Sequence, residues 1–187
     1  MIDFYLFANE TVLDFYPKFG FEPVQESSFS MKTSDLNKPL TKNFTLRKLD
    51  IYNKTDLALM REFAAESMPV SSILGLKNNE HLLMFYFILA FNDAVYYIEE
   101  EMIVIFKQKN HVLHIFDVIS KKRIEVERIL TGIVSANIEI IKFYFTPDYV
   151  GKNIHTELIT ESDNLLFVRP LLKNLTSPFL FPLTSHA

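Results

Sequence analysis

The sequence predicts an α/β chain whose centre is a mixed, largely antiparallel sheet flanked by helices. Three observations carry that reading. Beyond residue 43 the strand and helix signals follow one another in the order β-α-α-β-β-β-α-β-β-β, and ahead of it residues 2–31 give a separate β-α-β run. The third is composition: 49% hydrophobic and 14% aromatic residues supply a sizeable core and exclude a chain disordered throughout. At roughly 150 residues per domain, the 187 residues make one domain and a remainder.

In order, Ile-Asp-Phe-Tyr-Leu-Phe-Ala at 2–8 is rich in strand formers and runs into Asn9, a residue type that caps helices. A helix from Glu10 follows, with Val12, Leu13, Phe15, Tyr16 and Phe19 as its apolar face and Pro17 and Gly20 confining it to about two turns. Phe21 to Met31 reads as one strand, with Pro23 marking an edge or bulge. Residues 32–43 are polar and contain a proline, which makes them a linker. Phe44–Leu49 alternates as a half-buried strand, and Thr55 caps a helix with Leu57, Met60, Phe63 and Ala64 on one side. Asn79 opens a second helix, Glu80–Phe91, apolar nearly all round and therefore expected to be buried. Val95–Ile98, Met102–Lys107 and Val112–Ile119 form an antiparallel meander, with turns at Glu99-Glu100-Glu101 and Gln108-Lys109-Asn110. Ile124 to Val134 repeats at helical spacing, Ile138–Phe145 is a strong strand, and His155–Thr160 and Leu165–Arg169 are two more.

Several functions are excluded by what is missing. Lys and Arg number 19 against 23 Asp and Glu, a net charge of −4, and only Lys121-Lys122-Arg123 clusters, so nucleic acid is not an expected partner. The longest apolar run, Leu82–Phe91, is far short of the roughly 20 residues that span a bilayer, so no membrane partner is expected. Met1-Ile2-Asp3-Phe4 lacks the basic start of a secretory signal, and a cytoplasmic location is expected. Cysteine is absent, which removes disulfides, thiolate nucleophiles and cysteine metal sites. The four glycines, Gly20, Gly75, Gly132 and Gly151, lie at least 19 positions apart, so no glycine-rich phosphate loop of the Walker or Rossmann kind exists.

Asn9 to Phe21 reads Asn-Glu-Thr-Val-Leu-Asp-Phe-Tyr-Pro-Lys-Phe-Gly-Phe. This resembles the closing motif of the GNAT acetyltransferase superfamily, in which an asparagine opens the fourth helix and a Tyr-x-Lys-x-Gly-Phe run ends it. Phe145-Thr146-Pro147-Asp148 and Leu166-Phe167-Val168-Arg169 are similar to the degenerate carboxy-terminal domain of bacterial two-domain members. The resemblance implies residues 1–31 as the carboxy-terminal β-α-β piece of a GNAT domain, 32–43 as linker, and 44–187 as a degenerate GNAT-like domain. It implies acetyl-CoA as cofactor, and transfer of acetyl to the amine of a small molecule or peptide. It also implies Tyr16 as the acid that protonates the departing coenzyme A thiolate, and Asn9 as a contact on the pantetheine side. A phenol with pKa near about 10 is protonated at neutral pH and suits that task. The alternative is a non-catalytic module used in recognition or assembly.

The chain departs from the family where the cofactor's pyrophosphate is held. Its Gln/Arg-x-x-Gly-x-Gly/Ala loop has no counterpart, since the matching stretch Ile119-Ser-Lys-Lys-Arg-Ile124 contains no glycine. Lys121, Lys122 and Arg123 are left as an electrostatic substitute or as a solvated corner. His111 and His114 point to opposite faces of a strand, so no metal site is expected. Glu99-Glu100-Glu101 reads as a charged turn, Asp148 and Glu157 lie where an acceptor amine would be handled, and no nucleophile elbow is present. With its family neighbours missing, strand 2–8 should leave an open edge that a homodimer or close interdomain packing covers.

Overall fold

The computed structural model describes residues 4–36, 44–98, 101–148, 153–160, 164–169 and 178–186. They form two sheets, because two strands lie far in sequence from the partners they pair with. β1 (Phe4–Ala8) and β2 (Glu22–Val24) flank β10 (Leu165–Arg169) in a three-stranded antiparallel sheet. The remaining strands make a seven-stranded sheet in the order β4-β5-β6-β7-β8-β3-β9. Its members are β3 (Ser27–Lys32), β4 (Leu46–Lys48), β5 (Val95–Ile98), β6 (Met102–Lys109), β7 (Val112–Ser120), β8 (Ile140–Phe143) and β9 (His155–Leu158). Every pairing is antiparallel except β7 with β8, which agrees with the mixed, largely antiparallel sheet expected. The run Phe21–Met31 is thus two strands in two sheets. Pro23, which has no N–H to donate, sits on edge strand β2 opposite Phe167. Residues on the two sides of the 32–43 segment share one sheet through β3, and residues 37–43 lie outside the described residues.

Three α-helices flank the larger sheet: α1 (Lys54–Ala65), α2 (Glu80–Phe85) and α3 (Val126–Ile133). α1 is capped by Asn53, not Thr55. The Asn53 Oδ1 accepts from the backbone N–H groups of Thr55 and Asp56 and satisfies two otherwise free donors. Met60, Phe63 and Ala64 face a core shared with Leu83, Phe87, Ile103 and Ile119. α3 covers the opposite face, where Ile129 and Leu130 pack on Met31, Val104, Leu113 and Ile141. α2 runs on into a wider π turn, Tyr86–Ala90, and is not buried all round, because Phe85 and Leu89 are 50% and 66% exposed. No helix among the described residues is long and apolar enough to cross a membrane.

The two-turn helix expected after Asn9 is replaced by two short 3-10 turns, Glu10–Val12 and Tyr16–Phe19. Pro17 has no N–H for a helical bond, and Gly20 closes the second turn at φ +77°, a left-handed conformation that glycine adopts without strain. The meander is observed where predicted, tightened to a turn at Asn110, which also has a positive φ. Between Ile105 and Phe106 the register shifts by one residue, and Phe116 is the extra residue of a bulge in β7. Leu113 and Ile115 lie on the α3 face, and after the bulge it is Val118, in place of Asp117, that continues there.

Candidate functional site

The Asn9–Phe21 segment is held by the far end of the chain. Asn9 is exposed, and its Oδ1 accepts from Thr11 N–H at 3.1 Å and Thr11 Oγ1–H at 2.6 Å, which fixes the first turn. Tyr16 is half-buried, with its ring 5.8 Å from that of Phe167 in β10 and 6.1 Å from Phe21. Its hydroxyl makes no hydrogen bond among the described residues. Arg169 fastens the turn to β10: its guanidinium donates to Phe19 O at 2.8 Å and lies 5.0 Å from the ring centres of Phe4 and of Phe21. Asn9 therefore follows directly on the end of β1, while Tyr16 packs on Phe167 of β10, the residue opposite Leu6 at the middle of β1. That strand pairs with β10 along one edge, and no described strand lies along the other.

Residues 179–186 form a buried strap between the two sheets. Phe179 and Phe181 pack with Leu166 and Val168, and Tyr5 and Phe7 close over them. Tyr5 Oη donates to Ser185 O and Tyr86 Oη to His186 O, both at 2.9 Å. Two carboxylates hold the strap. Glu26 accepts the Phe181 N–H at 2.6 Å, and burial pushes its pKa up to about 7, the hydrogen bond offsetting only part of the cost. Asp117, turned by the bulge, accepts from Thr184 Oγ1 and from Val118 N–H at 2.7 Å, and burial lifts it to about 6. His186 stacks on Phe7 at 3.7 Å and is pushed down to about 4 by burial, so its ring is neutral. None of these three roles was foreseen, because the sequence does not say which buried backbone donors a lone acidic residue will meet.

Each residue of the basic corner has an acidic partner. Lys121 pairs with Glu62 and Glu66, Lys122 with Glu101 at 2.9 Å, and Arg123 with Asp148 at 3.0 Å. The described glycines are likewise occupied. A Cβ on Gly75 would lie 2.7 Å from that of Pro69, one on Gly132 would enter the Phe44 ring, and Gly20 closes its turn; Gly151 lies outside the described residues. None of the three described glycines leaves room for an anion to meet bare main-chain donors in the way a glycine-rich loop does. His111 and His114 have separate partners, Asn137 O and Tyr144 Oη, each at 2.9 Å, and no described group of three or more acidic or histidine residues could hold a metal.

Beside the strap, the 68–78 loop borders an open groove of ≈ 790 Å³ whose other walls are Tyr5, Phe181, Arg123 and Asp148. Asp148 ties the loop in place, accepting from Ser71 Oγ at 3.1 Å, Ser72 N at 2.9 Å and Ser72 Oγ at 3.0 Å as well as from Arg123. Glu157, the other acidic residue singled out from sequence, lies on β9 against His155 at 2.8 Å and does not line the groove. Asn9 and Tyr16 do not line it either.

No protein-family model matches the sequence, and no curated protein matches it significantly. Solved structures do match in fold. A conserved protein from Enterococcus faecalis, described as a probable N-acyltransferase, is 15% identical with a TM-score of 0.55 over 88% of this chain and 44% of its own. Eis1 from Mycobacterium abscessus is 10% identical with a TM-score of 0.50 over 87% and 45%. At such identities the likeness is one of fold, and the chain spans less than half the length of these neighbours. The chain thus shares its fold with these two structures, in keeping with the mixed, largely antiparallel α/β architecture expected from its sequence.

Proposed function

We propose that this chain, with its GNAT acetyltransferase fold, acts as the carboxy-terminal portion of an acetyl-CoA-dependent N-acetyltransferase that acetylates an amine. What supports the reading is that Asn9 follows directly on β1, one edge of which no described strand occupies, and that Tyr16 packs on Phe167 of the neighbouring β10 with its hydroxyl unbonded among the described residues. On this reading Asn9 contacts the pantetheine arm, and Tyr16, whose hydroxyl is uncommitted among the described residues, gives its proton to the departing thiolate. The diphosphate is left to residues other than those described, because the described glycines are occupied and Lys121 and Lys122 are paired. The engaged corner also favours the second reading, a module that binds no cofactor.

Calorimetric titration with acetyl-CoA and with S-acetylpantetheine, which lacks the diphosphate, separates the two. A chain that holds only the pantetheine arm binds both with similar affinity and loses both on Asn9→Ala. Binding of neither would support the non-catalytic module. Acetyl-CoA binding far tighter than S-acetylpantetheine binding would show that this chain grips the diphosphate by itself and would overturn the division of labour.

A further inference from the structure

The groove over Asp148 has a lining that selects a ligand by charge. Its wall is apolar where it is most open: Met68 and Ile73 are 47% and 50% exposed there, while Leu74 and Leu76 rest on the core around β10. Single exposed apolar side chains are ordinary, but several along a concavity with a few charged groups describe a small-molecule site. One carboxylate and two cations complete the lining. Asp148 already accepts from Ser71, Ser72 and Arg123, so an incoming ammonium would have to displace a donor to reach it. The cations are in the opposite condition. The Arg123 side chain is 71% exposed and engages Asp148 through Nη2 alone, leaving the rest of its fork toward solvent. Lys77 is exposed and has no ion pair among the described residues. The groove's one carboxylate is filled and its two cations keep open donors, so the complement is an anion attached to an apolar body.

We infer that this groove binds an apolar carboxylate, its anionic end on the Arg123 guanidinium in the positive potential of Lys77 and its apolar body on Met68, Ile73 and Leu74. That this carboxylate is an amino acid whose amine is acetylated rests on the acetyltransferase reading; the groove's choice of a carboxylate does not. Three probes titrated calorimetrically into the full 187-residue chain test it: isocaproate, which has the carboxylate without the amine, leucinamide, which has the amine without the carboxylate, and leucine. Isocaproate and leucine should bind saturably and leucinamide at least about tenfold more weakly, the weight of one charge-assisted hydrogen bond. Arg123→Gln should weaken isocaproate by a similar factor. Lys77→Gln, on an exposed position whose loss leaves no partner unpaired, should weaken it less and reduce its dependence on salt. Should Arg123→Gln melt early through the loss of its bond to Asp148, the Lys77 variant carries the test. No saturable isocaproate binding, leucinamide binding as well as isocaproate, or indifference to both substitutions overturns the inference. Isocaproate binding keeps the groove whatever becomes of the acetyltransferase reading; acetylation of leucinamide in preference to leucine, in a preparation that performs acetyl transfer, would keep the acetyltransferase and remove the groove as its acceptor site.

Discussion

Glu26→Gln separates the charge of the strap's carboxylate from its hydrogen bond. Glu26 lies between β2 and β3, accepts the Phe181 N–H at 2.6 Å, and has a pKa pushed from 4.5 up to about 7 by burial. A rise of that size corresponds to about 3 kcal/mol of differential stability between the protonated and ionised forms. Because the folded pKa is the higher one, folding favours the proton. The stabilisation is fully present below pH 4.5 and is lost as the pH rises through about 7. Glutamine keeps the acceptor oxygen and cannot ionise, so the variant should gain on the parent by about 3 kcal/mol between pH 4.5 and 8.5. Asp117, lifted to about 6, loses stability in the same direction, and His186, depressed to about 4, loses it as pH falls from 6.5. Both contributions are common to the two proteins and cancel in the comparison. The chain has no tryptophan, so urea unfolding is followed by far-ultraviolet circular dichroism across that range. A stability difference between parent and variant that stays flat with pH would refute the assignment of a Glu26 whose pKa is raised by burial.

Gly132→Ala should destabilise the chain by about 1–2 kcal/mol despite the better helix propensity of alanine, because its Cβ would come within 1.9 Å of the buried Phe44 ring; an unchanged melting temperature would count against that packing. Phe167→Ala, at the centre of β10, should cost about 3–5 kcal/mol, and hydrogen exchange should show β1 amides losing protection before those of β3, whose partners are β8 and β9. Tyr16→Phe should change stability by less than about 0.5 kcal/mol, since the hydroxyl holds nothing among the described residues, while lowering the rate of acetyl transfer in any preparation that performs it.

Local signals in the sequence corresponded well to local structure. Alternation in Val95–Ser120 gave the meander because each strand pairs with its neighbour, and apolar spacing around Met60 and Ile129 gave the helix faces. Errors of detail arose where two local signals competed. Asn53 and Thr55 are both capping types two positions apart, and Pro17 and Gly20 reduced the expected helix to turns that aromatic packing then had to hold. Pairing over long distances was not legible. Leu165–Arg169 announces a strand, yet nothing in its composition says that it enters between β1 and β2, or that β3 leaves β2 for the other sheet. The groove was hidden for the same reason. Residues 68–78 read only as a loop, and Asp148 acquires its four donors through folding.

This strand exchange bears on how the Asn9–Tyr16 motif can work. β3, from the first part of the chain, sits between β8 and β9, while β10, from the last part, sits between β1 and β2. The strap then joins both sheets through Glu26, Asp117, Tyr5 and Tyr86. A short turn with no α-helix behind it has little intrinsic order, and nucleating one costs more than a few hydrogen bonds return. Tyr16 is nevertheless held in one place, because Phe167 supports its ring and Arg169 grips the Phe19 carbonyl from 150 positions away. Proton donation to a leaving thiolate needs that fixity, since a donor misplaced by about 1 Å forfeits much of its effect. The catalytic competence proposed for Tyr16 is therefore a property of the carboxy-terminal residues as much as of the motif in which it sits.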